Sequence, residues 1–210
     1  MAIQTISEFG WSSTEPGEHQ LMLLPAIRPF LATPGRARTL LDLGCGNGWL
    51  SAQYAALGYA VTGCDVSQDG LRLAAEAFPD VVFRRLSAYE DLRPLAPPGG
   101  FAAIVCSEVI EHLIDPAAML ANTRRVLAND GVLILTTPYH GYLKNLAISL
   151  ANGWDRHFSV GHRGGHIKFF SPVSLRDMLR QNGFEPSGFR GAGRLPWLWK
   201  SMVLAARPAR

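Results

Sequence analysis

The stretch that decides the fold runs Leu40-Leu41-Asp42-Leu43-Gly44-Cys45-Gly46-Asn47-Gly48-Trp49-Leu50. An apolar run leads into an acid, three glycines then alternate with other residues, and a segment with helical apolar spacing follows. Glycine adopts backbone angles that other residues resist and places no side chain between the chain and a ligand. A strand, such a loop and a helix are how parallel α/β proteins hold a nucleotide-like cofactor at the carboxyl ends of their strands. The stretch therefore predicts a cofactor loop.

The spacing of the glycines narrows the choice of cofactor. A dinucleotide fingerprint reads G-x-G-x-x-G, and here Trp49 stands where the third glycine would be. A phosphate-binding Walker loop would end in Gly-Lys-Ser/Thr, which is absent from this stretch. The acid Asp42 before the glycines argues for a cationic ligand group and against a diphosphate.

The pattern Asp42-x-Gly44-x-Gly46-x-Gly48 resembles motif I of class I S-adenosylmethionine (SAM) methyltransferases. For the loop taken alone, the alternative is an ordinary turn between a strand and a helix. Further motifs follow in the expected order from residue 39 to about residue 206, which favours the methyltransferase. The resemblance implies SAM as the cofactor and an α/β fold with a doubly wound, mostly parallel, seven-stranded Rossmann-like sheet. In such a sheet the last hairpin inserts one antiparallel strand.

The remaining pattern of the chain agrees with this fold. Apolar strands alternate with amphipathic helices, which is typical of a parallel, doubly wound sheet. After the cofactor loop, helices are predicted at Trp49–Leu57, at Gln68–Phe78, from Asp115-Pro116 to Leu127, and from Ser171-Pro172 to Asn182-Gly183. Strands are predicted at Ala60–Asp65, Val81–Phe83, Phe101–Cys106, Val132–Thr136, Phe184–Phe189 and Trp199–Ala206. The residues Asn129-Asp130-Gly131 are expected to form the turn that leads into the strand at Val132–Thr136.

Composition sets limits on the class of protein. The 210 residues, of which 48% are hydrophobic and 18% charged, predict one globular domain with a sizeable core. A net charge of +3 without a stripe of lysine and arginine argues against a nucleic-acid partner. The three cysteines show no metal or redox spacing, so we expect reduced thiols. No targeting segment or membrane span is evident, and we expect a cytoplasmic protein, either a monomer or a homodimer.

Two segments lie outside the alternating pattern. Residues 1–35 are expected to form an N-terminal cap with a helix from about Glu15 to Leu31, which Pro25 and Pro29 should kink or divide. Its leucines are expected to pack against the domain, while Trp11 and His19 are candidates for the pocket.

Residues 138–170 are expected to form an inserted lid or acceptor loop within the single domain 1–210. An amphipathic helix is predicted at 142–150, where Lys144 is the sole cation. A helix that binds a membrane surface normally carries several cations, so packing on the domain is favoured and a weak membrane contact stays open.

A set of donor-binding residues follows from spacing and resemblance. Asp65 comes about twenty residues after the glycines, as expected of an acid that binds ribose hydroxyls, although it could also be a surface residue that ends a strand. Relatives often carry Asp-Ala near the adenine, and here Ser87-Ala88 stands in that place. The full set of predicted SAM contacts is Asp42, Gly44, Cys45, Gly46, Asp65, Val66, Ser87, Ala88 and Ser107.

The first catalytic cluster is Glu108-x-x-Glu111-His112. On a helix these positions would share one face and could bind a divalent cation such as Mg, Zn or Mn. The segment resembles the metal-binding segment of ubiquinone-biosynthesis O-methyltransferases and of small-RNA 3′-end 2′-O-methyltransferases, where the ion holds the acceptor oxygens. The alternative is that the acids and His112 line the pocket or cap a helix without a metal.

The second cluster is a loop with His157, His162 and His166. Histidine titrates near neutral pH, so one of these side chains could remove a proton from an acceptor hydroxyl or add a metal ligand. Most of the three are expected to bond to backbone. His166 is favoured, because the Ile-Lys-Phe-Phe sequence after it should be structured. The candidate bases are therefore His112, His166 and His162.

The resemblance implies a SAM-dependent methyltransferase, and the branch resembled is the ubiquinone-biosynthesis O-methyltransferase-like one. We predict methyl transfer to a hydroxyl oxygen of a small molecule. Three alternatives remain at the level of sequence. They are a 2′-O-methyltransferase acting on RNA 3′ ends, a small-molecule N- or C-methyltransferase, and a SAM-binding module without catalytic activity.

Overall fold

The fold is built on one seven-stranded sheet. The structure is a computed structural model and describes residues 10–31, 38–158 and 164–209. The strands lie in the order β3-β2-β1-β4-β5-β7-β6. Their bounds are β1 Thr39–Leu43, β2 Ala60–Asp65, β3 Val82–Arg85, β4 Phe101–Ser107, β5 Leu127–Pro138, β6 Phe184–Ala192 and β7 Ser201–Pro208. All neighbouring pairs from β3 to β5 are parallel, and β7 runs antiparallel to both β5 and β6. The predicted doubly wound sheet with one antiparallel strand is confirmed.

The helices cover both faces of this sheet. Their bounds are α1 Glu18–Leu31, α2 Trp49–Ala56, α3 Gln68–Ala77, α4 Pro116–Val126, α5 Tyr142–Leu150, α6 Trp154–His157 and α7 Pro172–Gln181. Within the part of the chain that the structure describes, every helix is too short or too polar to cross a bilayer.

Two apolar cores result, because successive side chains of a strand point to opposite faces. Leu40 joins the core under α1 and α2, whereas its neighbour Leu41 joins the core under α4 and α7. Ala103 and Ile104 of β4 divide in the same way. Strands that are buried on both faces must be apolar throughout, which is why they appear in the sequence as unbroken hydrophobic runs.

Some element bounds differ from the sequence-based expectation. The residues Asn129-Asp130-Gly131, expected to form a turn before the strand, lie inside β5. Leu127 pairs with Phe101 and Val132 pairs with Ala103, so the residues between them shift the register of the β4–β5 ladder. The expected turn is thus an irregularity within one strand, in which residues 128–131 of β5 face Ala102 of β4 alone. Helix α1 is one element of 14 residues despite its two prolines, and it is not divided.

The order of the strands fixes where a ligand can bind. The chain runs outward from β1 through β2 to β3 and then crosses back to place β4 on the other side of β1. This reversal opens a crevice beyond the carboxyl ends of β1 and β4, which is where open α/β sheets bind their ligands. The cofactor loop follows β1, and the Glu-Val-Ile-Glu-His segment follows β4.

Candidate functional site

The glycine loop is held tightly against the ends of neighbouring strands. The backbone N–H groups of Gly44 and Cys45 donate to the Cys64 carbonyl at the end of β2, at 2.7 and 3.1 Å. Gly44 has a φ of 81°, and a Cβ at this position would lie 2.3 Å from Val109 Cγ2. Glycine is therefore required here by protein packing, and this packing brings the exit of β4 directly onto the cofactor loop.

The N-terminal segment lies on the same loop from residue 10, where the structure begins to describe it. A Cβ at Gly46 would come within 2.6 Å of the ring of Trp11, and the backbone N–H of Trp11 donates to Asp69 at 2.8 Å. The Asn47 amide donates to the carbonyls of Ser13 and Glu15 at 3.1 and 3.2 Å. The structure thus places Trp11 at the cofactor loop, whereas the other candidate from this segment, His19, lines a separate cleft with Glu18 and Met22.

Asp42 is the acid that precedes the glycines. Its side chain is buried, and one oxygen, Oδ2, accepts a hydrogen bond from Ser51 Oγ at 2.6 Å. The other oxygen, Oδ1, is buried and has no hydrogen-bond partner among the described residues. Burial raises the pKa of this carboxyl from 3.8 to about 7, and the nearby Asp65 adds to the rise. Among the described residues no cationic side chain forms an ion pair with Asp42, so its ionised form is a buried charge without compensation from them.

Asp65 has two structural partners that the sequence did not reveal. Its Oδ2 accepts from the Gly46 N–H and its Oδ1 accepts from the Ser67 N–H, both at 2.8 Å. Burial raises the pKa of this carboxyl, and these backbone donors oppose the rise. A carboxylate has further lone pairs for the hydroxyls of a ribose. Asp65 therefore joins the glycine loop to the turn before α3, and its contact with a ribose stays a prediction.

The other predicted donor contacts surround this loop. Cys45 is buried, and Ser107 ends β4 opposite Thr136 of β5. Val66 follows Asp65 directly at the end of β2. Farther along the edge, the Ser87 hydroxyl accepts from the Tyr89 N–H at 3.2 Å, and Ala88 is buried. Contacts of all these residues with SAM remain predictions.

The segment after β4 is arranged differently from the expected helix face. Only a short 3₁₀ turn, Ile110–His112, forms, and Glu108 precedes it with a left-handed φ of 54°. The Glu108 oxygens accept from Thr136 Oγ1 at 2.8 Å and from Ser201 Oγ at 3.2 Å. Because Glu108 lies outside the turn and binds β5 and β7, the i, i+3, i+4 geometry behind its assignment as a metal ligand does not form.

His166 stands where Glu108 was expected. The described residues bring Glu111, His112 and His166 together, each with one potential ligand atom within 4.8 Å of the others. Glu111 Oε1 lies 4.0 Å from His112 Nε2 and 3.9 Å from His166 Nε2. The N–H groups of the two residues after His166 both donate to the Glu111 carbonyl at 2.9 Å, which fixes the position of this histidine. The prediction for His162 lies outside the described residues.

The electrostatics of this group favour a cation. Glu111 is buried, and its Oε1 has no hydrogen-bond partner among the described residues, while Oε2 accepts from Thr137 Oγ1 at 3.0 Å. Burial and the neighbouring Glu108 raise the pKa of Glu111 well above its usual value. Burial and His112 lower the pKa of His166 to about 4, so its ring is neutral near neutral pH. One carboxylate oxygen and two imidazole nitrogens form a donor set that suits a divalent ion such as Zn, Mn or Mg.

The same chain shows clear similarity to known proteins. A family profile described as Methyltransferase domain matches residues 18–187. A ubiquinone biosynthesis O-methyltransferase from Thiobacillus denitrificans is 31% identical over 164 residues, which cover 75% of this chain and 69% of the relative. The protein of the same name from Cereibacter sphaeroides is 31% identical over 172 residues, covering 79% of this chain and 68% of the relative.

Solved structures agree with the architecture. The magnesium protoporphyrin IX methyltransferase from Synechocystis PCC 6803, crystallised with bound SAH, superposes with a TM-score of 0.67 at 20% identity. The superposition covers 91% of this chain and 84% of that protein. At this level of identity the similarity concerns the fold, and it matches the seven-stranded sheet described above.

Proposed function

Since this chain belongs to the methyltransferase family and is a SAM-dependent methyltransferase, we propose that it transfers the methyl group to a hydroxyl oxygen of a small-molecule acceptor. The observation that carries the choice of oxygen is the group Glu111, His112 and His166 beside the cofactor loop. Methyl transfer to oxygen also agrees with the name of the two relatives, ubiquinone biosynthesis O-methyltransferase.

The donor end of the reaction is assigned to the loop after β1. SAM is a sulfonium whose methyl group is already activated, so the protein must mainly align the donor and the acceptor. We assign Asp42 to the positive charge of the donor, because its buried Oδ1 has no partner among the described residues. Asp65 is assigned to the ribose hydroxyls, with Gly44 and Gly46 providing close approach of the backbone.

The acceptor end is assigned to the turn after β4. Val109 packs on Gly44, so the residues next to it in sequence stand beside the donor loop. His112 Nδ1 lies 3.3 Å from the Gly165 carbonyl, an arrangement that favours the tautomer with the proton on Nδ1. That tautomer leaves Nε2 unprotonated, as a base must be to accept the proton of a hydroxyl.

Glu111, His112 and His166 are also the residues that would hold a divalent ion. When bound, such an ion would act as a Lewis acid and lower the pKa of an acceptor hydroxyl. The buried Oε1 of Glu111 supports this assignment, because it faces the two imidazole Nε2 atoms at 3.9 and 4.0 Å and has no hydrogen-bond partner among the described residues.

We also propose the domain roles expected from the sequence. The chain would form one methyltransferase domain in which residues 1–35 cap the donor site and residues 138–170 cover the acceptor. The contact of Trp11 with Gly46 supports the first role. Helix α5, which lies within the second segment, supports the other, because it places the buried Lys144 at the edge of a large cleft.

The test is methyl transfer from isotopically labelled SAM to alkyl-substituted catechols and to matched anilines, with the methylated atom identified by mass spectrometry. We expect an O-methyl product, and we expect His112→Ala to lower kcat by about a hundredfold because general-base catalysis typically contributes that much. Binding of SAM should be unchanged in this variant. Glu76→Gln, an exposed change on α3, is the control. Methylation of nitrogen alone, or full activity of the His112 variant, would contradict the proposal.

A further inference from the structure

We infer that the cleft between the lid and the β6–β7 connection binds an organic anion with an apolar body, and that the acceptor therefore carries a carboxylate or phosphate group. The inference rests on the proposed function for its link to the acceptor. It concerns residues that neither the donor loop nor the Glu111 group uses.

The cleft has a volume of about 760 Å³. Helices α5 and α6 form one wall, and Arg194, Leu195 and Leu198 of the connection between β6 and β7 form the other. Its apolar surface comes from Ala147, Ile148, Leu195 and Leu198. A volume of this size is that of an ordinary small-molecule site, and the apolar walls suit a ring or an alkyl chain.

Three cations line the same cleft, namely Lys144, Arg156 and Arg194. No aspartate or glutamate is among the described residues that line it. Within ranges 10–31, 38–158 and 164–209, neither Lys144 nor Arg194 forms an ion pair. Cations gathered around a concave surface without acids create a positive potential, and this potential favours an anionic ligand.

Lys144 gives the strongest indication. A lysine that merely covers a surface extends its ammonium group into water, but this side chain is only 5% exposed. Its Nζ donates to the Lys200 carbonyl at 3.3 Å. Burial and the neighbouring Arg194 lower the pKa of Lys144 to about 8, and the nearby Glu108 opposes this effect. Lysine is rarely buried without a charged partner, so an anion placed between Lys144 and Arg194 would supply what the protein does not.

The acidic neighbour does not neutralise the cleft. Both Glu108 oxygens accept hydrogen bonds from hydroxyl groups, one from Thr136 and one from Ser201. Burial raises the pKa of Glu108, and the hydrogen bonds from Thr136 and Ser201 oppose this rise. Among the described residues Glu108 and Lys144 form no ion pair, so the Lys144 ammonium group is available to a ligand.

The cleft is also placed next to the candidate reaction centre. Lys144 interacts electrostatically with Glu108 and also with His166, which is a member of the Glu111 group. Arg194 lines a second cleft of about 470 Å³ together with His19 and Ser201, and Ser201 donates to Glu108. A ligand whose anionic group binds Lys144 and Arg194 can therefore extend its body toward the turn that carries Glu111 and His112.

The experiment measures binding of three probes to the full chain by calorimetry in the presence of S-adenosylhomocysteine. The probes are para-heptylbenzoate, its uncharged analogue para-heptylbenzyl alcohol, and benzoate without the alkyl chain. We expect the heptylbenzoate to bind about tenfold or more tightly than either of the others, since it alone has both the charge and the apolar body. Its affinity should fall with added salt.

Variants separate the cleft from general surface charge. Arg194→Gln and Lys144→Met should each weaken heptylbenzoate binding by about tenfold and leave binding of the alcohol unchanged. Arg190→Gln, an exposed change on β6 outside the cleft, is the matched control. Thermal unfolding verifies that each variant is folded. Arg194 is exposed, so the Arg194→Gln variant should keep the fold even if replacement of the buried Lys144 destabilises the protein.

Each outcome bears on the inference. Equal affinity for the acid and the alcohol, or an Arg194→Gln variant that binds like the Arg190→Gln control, would overturn it. Equal affinity for benzoate and heptylbenzoate would overturn the inference that the ligand has an apolar body. The proposed function can fail independently of this inference. In that case the protein would bind heptylbenzoate more tightly than the other two probes but would methylate no hydroxyl group.

Discussion

Replacing Asp42 with Asn tests whether this acid, which precedes the glycines, is a buried carboxyl without a positively charged partner in the folded protein. Its carboxyl is fully buried beside the cofactor loop, and burial raises its pKa from 3.8 to about 7. Between these values the folded state binds a proton that the unfolded state has lost. Stability contributed by this side chain must therefore fall as the pH rises through this range.

The size of the effect follows from the two pKa values. At about 1.4 kcal/mol per pKa unit, the penalty for ionising Asp42 in the folded protein approaches about 4 kcal/mol above pH 7. Between about pH 5 and about pH 8 the change amounts to about 3 kcal/mol, because part of the penalty is already present at the lower pH. Asn keeps an oxygen that can accept the Ser51 hydrogen bond and has no charge in this range.

The assay is urea unfolding of the natural chain and of Asp42→Asn at about pH 5 and about pH 8. Glu108 and Glu111 contribute pH dependence of the same sign, but they contribute it to both proteins. The difference between the two pH slopes therefore isolates Asp42. We expect the variant to be less sensitive to pH by about 3 kcal/mol across this interval. Parallel slopes would refute the argument, because they would mean that Asp42 is not an unpaired buried acid.

Three further predictions concern the same site. Asp65→Asn should weaken SAM binding at least about tenfold in calorimetry, whereas Glu76→Gln on α3 should not, and an equal affinity would remove Asp65 from the site. Gly46→Ala should lower the free energy of unfolding by about 1 to 3 kcal/mol, because Gly46 has a φ of 53° and Trp11 occupies the space of a Cβ. An unchanged free energy of unfolding in urea would contradict this contact. A chelator should abolish methyl transfer, and Mg, Mn or Zn should restore it; full turnover in excess chelator would leave His112 acting as a base without a metal.

The architecture was predictable because the signals that encode it are local. The run into Asp42 and the alternating glycines define the first strand and its loop, and the alternation of strands and helices defines the sheet. The distance of Asp65 from the glycines predicted that it lies beside the cofactor loop, and in the structure its carboxylate accepts from the Gly46 N–H of that loop. These patterns depend on residues close together in the chain, so no tertiary information was needed.

The arrangement of the catalytic cluster depended on contacts that spacing does not encode. The i, i+3, i+4 argument for Glu108 assumed a helix, but the chain leaves β4 with a left-handed residue and forms only one 3₁₀ turn. Thr136 and Ser201 then draw Glu108 toward β5 and β7, while the backbone of Glu111 anchors the two residues after His166. Thr136 is 28 residues from Glu108 in the chain and Ser201 is 93 residues from it, and a single sequence gives no sign of such contacts.

The charged cleft was missed for a related reason. In the sequence, Lys144 is the sole cation of its predicted helix, which argues only against binding to a membrane surface. Its burial and its proximity to Arg194 arise from the way α5 meets the connection between β6 and β7. The signal available in the sequence was an isolated lysine among apolar residues, which is where a buried cation would be sought.

The three cysteines have a practical consequence for measuring motion in this enzyme. All are buried, and burial raises the pKa of each thiol, so a maleimide can react only when the surrounding structure opens. Cys45 lies in the glycine loop and Cys106 lies in the central strand β4. If the loop opens independently to admit ligand, Cys45 will be alkylated faster than Cys106, and the ratio of the two rates will report local opening against global unfolding.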